Sequence, residues 1–229
     1  MVIVRDTLVD ALVARLRDGV LSGRYPPGAY LPSERELAAE YGVTRTSLKH
    51  ALSRLAQLGL VETKHGVGTR VLDYLSSGGP ELLPMLVVAD GPGWLEETFQ
   101  ARREIGALVY ARAAERRGAG HCADLRALHE AVAAAQTADD AQLAECEIHR
   151  VLAAASGNRV YGFLVNSLLN AYLPVRQLLI APFRDPGRAA GRLTPLVEAV
   201  CAGEAGEAHT AAVRYLAETE RLMLSGEDR

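Results

Sequence analysis

The sequence predicts a mainly α protein in two domains. Residues 1–72 read as three helices and a β-hairpin, residues 73–92 as a linker, and residues 93–229 as an all-α bundle of six to seven helices. Three observations carry this prediction. Aromatic residues make up 5% of a chain that is 49% hydrophobic, so its cores must be mostly Ala, Leu and Val, a composition that favours helices. Apolar residues recur at helical spacing through most of the chain. A sustained apolar–polar alternation occurs at 60–72, "LVETKHGVGTRVL", on both sides of a glycine turn.

Residues 4–22 place Val4, Leu8, Leu12, Leu16 and Val20 four apart, the stripe of one helix, with Thr7 and Asp10 resembling a capping pair in its first turn. "SGRYPPGAYLP" at 22–32 cannot be helical through Pro26 and Pro27, which lack a backbone N–H; Tyr30–Leu31 suits a brief strand pairing. "SERELAAEYG" opens with the S-x-x-E capping box of Ser33 and Glu36, sets Leu37, Ala38 and Tyr41 on one side, and stops at Gly42. Thr44 caps the next helix, whose buried stripe is Leu48, Ala51, Leu52, Leu55 and Leu58 and whose end is Gly59. Two short helices joined by Gly42, Val43 and the cap form a helix-turn-helix, and the hairpin that follows makes it a winged helix.

From 73 to 92, "DYLSSGGPELLPMLVVADGP", composition shifts to Gly, Ser and Pro, with one short helix expected at 80–87. Beyond it, helices are expected at 93–118, 121–137, 139–156, 159–181, 187–202 and 204–225, separated by "RGAGH", "TADD", "SGN", "APFRDPG" and "AGEAG".

Charge divides the same way. Residues 1–72 hold ten Lys/Arg against seven Asp/Glu, and the remainder fifteen against twenty-one, which points to a polyanion partner for the first part alone. No apolar run is long enough for a membrane helix, and "MVIVRDTLVD" lacks a signal-peptide core, so a cytoplasmic protein without a membrane partner is expected. Cys122, Cys146 and Cys201 are far apart in sequence and read as reduced, semi-buried thiols. No Gly-rich phosphate loop, GxSxG or HExxH is present, so the chain is not expected to be an enzyme.

The helix that starts at Thr44 gathers Thr44, Arg45, Thr46, Ser47, Lys49 and His50 at its N-terminal end, where the helix dipole disfavours cations. Against a polyanion the sign reverses. A helix entering the major groove offers its first residues to base edges: Arg45 can fork onto guanine, Thr44 and Thr46 can hold phosphates or a thymine methyl, and Lys49 lies one turn on. Arg35 in the preceding helix and Lys64, His65 and Gly66 at the wing extend the same surface.

Residues 23–71, "GRYPPGAYLPSERELAAEYGVTRTSLKHALSRLAQLGLVETKHGVGTRV", resemble the DNA-binding domain of the GntR superfamily of bacterial transcription regulators. The resemblance implies that Arg35, Thr44, Arg45, Thr46, Lys49, His65 and Gly66 touch operator DNA in a homodimer. The family usually has arginine where Lys49 stands; lysine keeps the charge and loses the fork.

"ARREIGALVYARAAERR" (101–117), "LAECEIHRVLAAASGNRVYGFLVNSL" (143–168) and "LTPLVEAVCAGEAGEAHTAAVRYLAETERLM" (193–223) resemble the FadR subgroup of that superfamily. Many of its members hold a divalent metal through an Asp and three His. The matching positions here are Glu145, His149, Leu193 and Tyr215, two possible ligands of four, so no metal or other cofactor is expected and Glu145 with His149 reads as an internal pair. The fatty-acyl-CoA-responsive members lack the metal, which implies a fatty acyl-CoA or fatty acid as effector. By the same resemblance Arg102 faces the cavity and can meet a carboxylate or phosphate, with Asn166, Tyr172, Arg176, Tyr215 and Thr219 as further lining candidates beside Glu145 and His149. The alternatives are a sensor of a small carboxylate, with or without metal, and a constitutive DNA-binding protein whose bundle only dimerises.

Overall fold

The computed structural model describes residues 3–90 and 92–225, and the chain forms two compact units, Met1–Ala89 and Asp90–Arg229. No helix among the described residues is long and apolar enough to cross a membrane.

In the first unit α1 spans Ile3–Leu21. It starts earlier than its sequence pattern suggests, so Thr7 stands one turn inside the helix and is not its cap; the side chains of Val4 and Thr7 lie outside the described residues. Leu12, Leu16 and Val20 are buried, Leu8 is exposed, and Asp10 pairs with Arg54 of the third helix. α2 (Glu34–Glu40) closes the expected capping box: Ser33 Oγ accepts from the Glu36 N–H at 3.3 Å, and Glu36 Oε2 accepts from the Ser33 N–H at 2.9 Å. Gly42, at φ +63°, turns the chain into α3 (Arg45–Gln57), whose N-cap Thr44 accepts from the Ser47 N–H at 3.1 Å. Leu48, Ala51, Leu52 and Leu55 of α3 are buried, whereas Leu58, beyond the last helical residue, is only half-buried.

The wing pairs β1 (Val61–Lys64) with β2 (Gly68–Val71) antiparallel, Val61 opposite Val71 and Lys64 opposite Gly68. Tyr30 adds an isolated bridge to Arg70. The segment expected as a linker is more helical than its composition suggests. Asp73 caps a single turn, α4 (Tyr74–Ser77), by accepting from the Leu75 N–H at 3.1 Å, and a 3-10 turn at Pro80–Leu82 runs into α5 (Leu83–Asp90). Ser77 Oγ donates to the Gly59 carbonyl at 2.7 Å, which fastens α4 to the junction of α3 and the wing.

The second unit holds α6 (Pro92–Arg116), α7 (Ala119–Ala134), α8 (Ala138–Ala155), α9 (Arg159–Tyr172), α10 (Pro186–Ala202) and α11 (Ala205–Leu224). The helix expected over 159–181 ends at Tyr172. Pro174 offers no N–H to the ladder and crowds the preceding turn, and the chain tightens into 3-10 geometry at Leu173–Leu179 and Ala181–Phe183. The core joins Leu125 of α7, Ile148 and Leu152 of α8, Leu193 and Val200 of α10 and Leu216 of α11, all at most 1% exposed. α6 packs closely on α11 because Gly106 has no side chain: a Cβ there would stand 2.7 Å from Leu216 Cδ1.

Candidate DNA interface and effector cavity

The first unit presents one polar, cationic surface. Capping by Thr44 and inward packing of Leu48 and Leu52 fix the rotation of α3, which leaves Thr44, Arg45, Thr46 and Lys49 exposed together at its N-terminal end. Arg45 and Arg35 are exposed and form no ion pair among the described residues. Lys49 Nζ lies 3.8 Å from Glu34 Oε2, an exposed pair worth about 0–1 kcal/mol, so a phosphate can displace it at small cost. Lys64 stands 3.2 Å from Glu62 in the same exposed way. His65 and Gly66 form the tip of the wing, where Gly66 has φ +75° and open space around it. Between the strands Val67 projects with 63% of its surface exposed, and Arg70 and Tyr30 lie side by side at the base of the wing. Val67, Arg70 and Tyr30 were not among the sequence candidates; only Arg70 has a signal, the alternation of β2 that sends it outward.

In the second unit a polar cluster sits inside the apolar bundle. Glu145 is 1% exposed, and its Oε1 accepts from Arg102 Nη2 at 2.8 Å and from the Tyr215 hydroxyl at 2.8 Å. His149 Nε2 lies 2.5 Å from the same oxygen, and its Nδ1 is 2.6 Å from the Tyr110 hydroxyl. With the proton on Nε2, His149 donates to Glu145 and accepts from Tyr110, whose ring stacks on the imidazole at 5.5 Å between centroids. Burial alone would raise the Glu145 pKa, but His149, the Arg102 charge and the hydrogen bonds overcome it and hold the carboxyl at about 2. Burial disfavours the charge on Arg102, yet Glu145 and the surrounding tyrosines raise its pKa above the ordinary value. The result is an ionised pair in an apolar interior, stable because each charge is met.

Among the described residues one donor in this cluster has no acceptor: Arg102 Nη1 is buried and unpartnered, as is the acceptor Gln142 Oε1 one turn before Glu145. Arg102 and Glu145 border a cavity of about 20 Å³ walled by Val165, Leu168, Leu169 and Tyr172, enough for about one water molecule. The α6 side of the wall is Arg102, Gly106 and Tyr110, spaced four apart on one face.

Of the sequence candidates, Arg102, Glu145, His149 and Tyr172 line the cavity, Tyr215 joins them only through its bond to Glu145, and three others stand apart. Asn166 is exposed on α9, where its Oδ1 accepts from Arg150 Nε at 3.2 Å, because the inward face of α9 is Val165, Leu168 and Leu169. Arg176 pairs with Asp139 at 2.8 Å, since the 3-10 turn after Tyr172 rotates it away. Thr219 is buried, but its hydroxyl donates to the Tyr215 carbonyl at 2.6 Å and supports α11 from behind. Among the described residues no three of His, Cys, Asp and Glu converge, Leu193 is fully buried and apolar, and the Arg102 guanidinium stands 2.8 Å from Glu145.

Comparison with known proteins follows the same division. The family of bacterial regulatory proteins called gntR matches residues 8–71, and the FCD domain matches residues 97–218. An HTH-type transcriptional regulator of Mycobacterium tuberculosis, Rv0494, is 34% identical over 98% of this chain and 93% of its own length. Fatty acid metabolism regulator proteins of Serratia proteamaculans and Pasteurella multocida are each 35% identical, over 69% and 68% of this chain and 66% and 65% of their own. Among solved structures, the Listeria monocytogenes regulator Lar has a TM-score of 0.61 at 15% identity, covering 99% of both chains, and E. coli McbR/YncC one of 0.53 at 17%, covering 100% of both. These two share the fold.

Proposed function

The chain belongs to the gntR family of bacterial regulatory proteins and carries an FCD domain, and from that premise we propose that it controls fatty-acid metabolism, binding a palindromic operator as a homodimer and releasing it when a long-chain acyl-CoA or fatty acid enters the helical bundle. It is a DNA-binding transcription regulator; the effector, the operator symmetry and the dimer are the proposal.

The observation that carries the effector reading is the buried, unpartnered Nη1 of Arg102 beside a wall of Val165, Leu168 and Leu169. A cation with one free donor suits an anionic or carbonyl head, and the apolar wall suits a chain, each buried CH₂ contributing about 0.8 kcal/mol. The relatives named fatty acid metabolism regulators support the same class. Because the cavity measures about 20 Å³, an acyl chain must spread the helices. That movement is the switch: spreading the bundle changes the separation of the two recognition helices in the dimer, and a coupling of about 1–3 kcal/mol suffices for release.

The reading surface supports a homodimer, since one recognition helix contacts only a few base pairs and a two-fold pair sums the affinity. Leu108 on α6 and Val160 and Phe163 on α9 are exposed apolar residues on two helices that pack against each other, and they supply the candidate face for the second copy.

The small cavity favours a second reading, a small carboxylate seated on Arg102 with no spreading. One titration separates the two. Operator release, followed by fluorescence anisotropy, is measured with palmitoyl-CoA, palmitate, a sugar acid and citrate. Release by the acyl compounds supports the proposal; release by the small acids alone overturns the lipid effector, and no release by any identifies a constitutive binder.

A further inference from the structure

We propose that Cys122 and Cys201 form a site of reversible oxidation, closing to a cystine that ties the first turn of α7 to the last turn of α10. Two contacts show that these helices run antiparallel. His129 Nε2 of α7 lies 3.0 Å from both the Ala190 carbonyl and Thr194 Oγ1, while Cys201 Sγ lies 3.9 Å from the Cys122 carbonyl at the other end of the pair. Cysteines that are 79 residues apart in sequence are thereby brought side by side, with the Cys201 thiol donating to the Cys122 carbonyl. Both are free and half-buried, and Cys201 lines an open groove of about 330 Å³ with Arg126 and His129, through which a small oxidant reaches it. Cys146 provides the contrast: it is fully buried. A disulfide needs sulfur atoms near contact, and the Cys201 sulfur already reaches the Cys122 backbone across the two helix ends.

The oxidant class is a hydroperoxide. Cys201 lines the open groove and so meets the peroxide first, although burial, followed by the neighbouring Cys122, pushes its thiol up to about 11, with Arg126 and Arg117 opposing the shift. The Cys201 thiolate attacks one peroxide oxygen, the O–O bond breaks, and Cys201 becomes a sulfenic acid while hydroxide leaves and takes up the proton the thiol released. Cys122 then attacks the sulfenic sulfur. The S–O bond breaks, the S–S bond forms, and the departing hydroxide takes the Cys122 proton as a second water. Two thiols lose two hydrogens and one peroxide becomes two waters.

The full-length protein is treated with hydrogen peroxide, quenched, and measured by intact mass and by a non-reducing peptide map. The expected result is the loss of two hydrogens within one chain, a crosslinked peptide pair containing Cys122 and Cys201, and return to the starting mass with dithiothreitol. Cys122→Ser and Cys201→Ser should each abolish the pair, while Cys146→Ala retains it. The proposal is overturned if the mass stays at the reduced value, if crosslinks join only separate chains, or if each thiol oxidises further without a bond between them.

Discussion

At the scale of the residue, Arg45 and Lys49 on the candidate DNA surface and the charges inside the bundle do different work. Arg45 is exposed at the N-terminal end of α3, without an ion pair among the described residues, and on the proposed reading it forks onto guanine. Arg45→Ala should weaken binding to the specific operator by about 10–100-fold at fixed salt, the equivalent of 1–3 kcal/mol, with little change on random DNA. Lys49→Ala should weaken both alike and flatten the salt dependence by about one unit of slope. Anisotropy titrations at several salt concentrations check both. Glu145 carries the pH prediction. Its carboxyl is held at about 2 in the fold against an ordinary 4.5, so its contribution is present above about 4.5 and is lost as pH falls from there through about 2. Thermal melts should therefore fall steeply across that window in the wild type, and Glu145→Gln, less stable at neutral pH, should lose less across it.

At the scale of the element, stability in the first unit rests on local devices that one substitution removes. Ser33→Ala breaks the capping box of α2 and should cost about 1 kcal/mol. Gly59→Ala should cost more, on the order of 2 kcal/mol or above, because Gly59 has φ +70° and an added Cβ would fall 2.1 Å from the Ser77 carbonyl oxygen. Chemical denaturation monitored by circular dichroism orders the two. These same devices made the winged helix legible in the sequence: Ser33 with Glu36, Thr44, Gly42 and Gly59 act within a few residues of themselves, so spacing alone exposes them. Elements that depend on longer range were read less well. The single turn of α4 hides in a Gly- and Ser-rich stretch because it forms through the Asp73 cap and the Ser77–Gly59 bond. The apolar pattern of α9 continues past Pro174, beyond the point where the backbone ladder fails, so pattern alone predicts a longer helix. In the cavity, the i, i+4 pair of Glu145 and His149 was visible, and so in principle was the row Arg102, Gly106 and Tyr110. Which face of α9 turns inward is a matter of packing, and it separated Val165 and Leu169 from Asn166.

At the scale of the whole molecule, the proposed regulator works only as a pair. If Phe163 and Val160 of α9 cover each other's counterparts in a second copy, Phe163→Glu should shift the protein from dimer to monomer in sedimentation velocity. The same variant should leave the far-ultraviolet circular dichroism unchanged, since the ring is 73% exposed, and should weaken operator binding steeply by halving the contacts of each binding event. A dimer that survives this substitution places the interface elsewhere.

The near-absence of free space beside Arg102 has a kinetic meaning. A sensor whose interior is already filled cannot be entered by simple collision; its ligand waits for the packed helices to breathe apart, and the measured affinity is the intrinsic one reduced by the fraction of time the door stands open. Association should then be slow, strongly temperature-dependent and level off at high ligand concentration. On the proposed lipid reading, short chains would gain little once inside and fail to hold the door, and the tightness of the packing would set the minimum chain length that releases the operator.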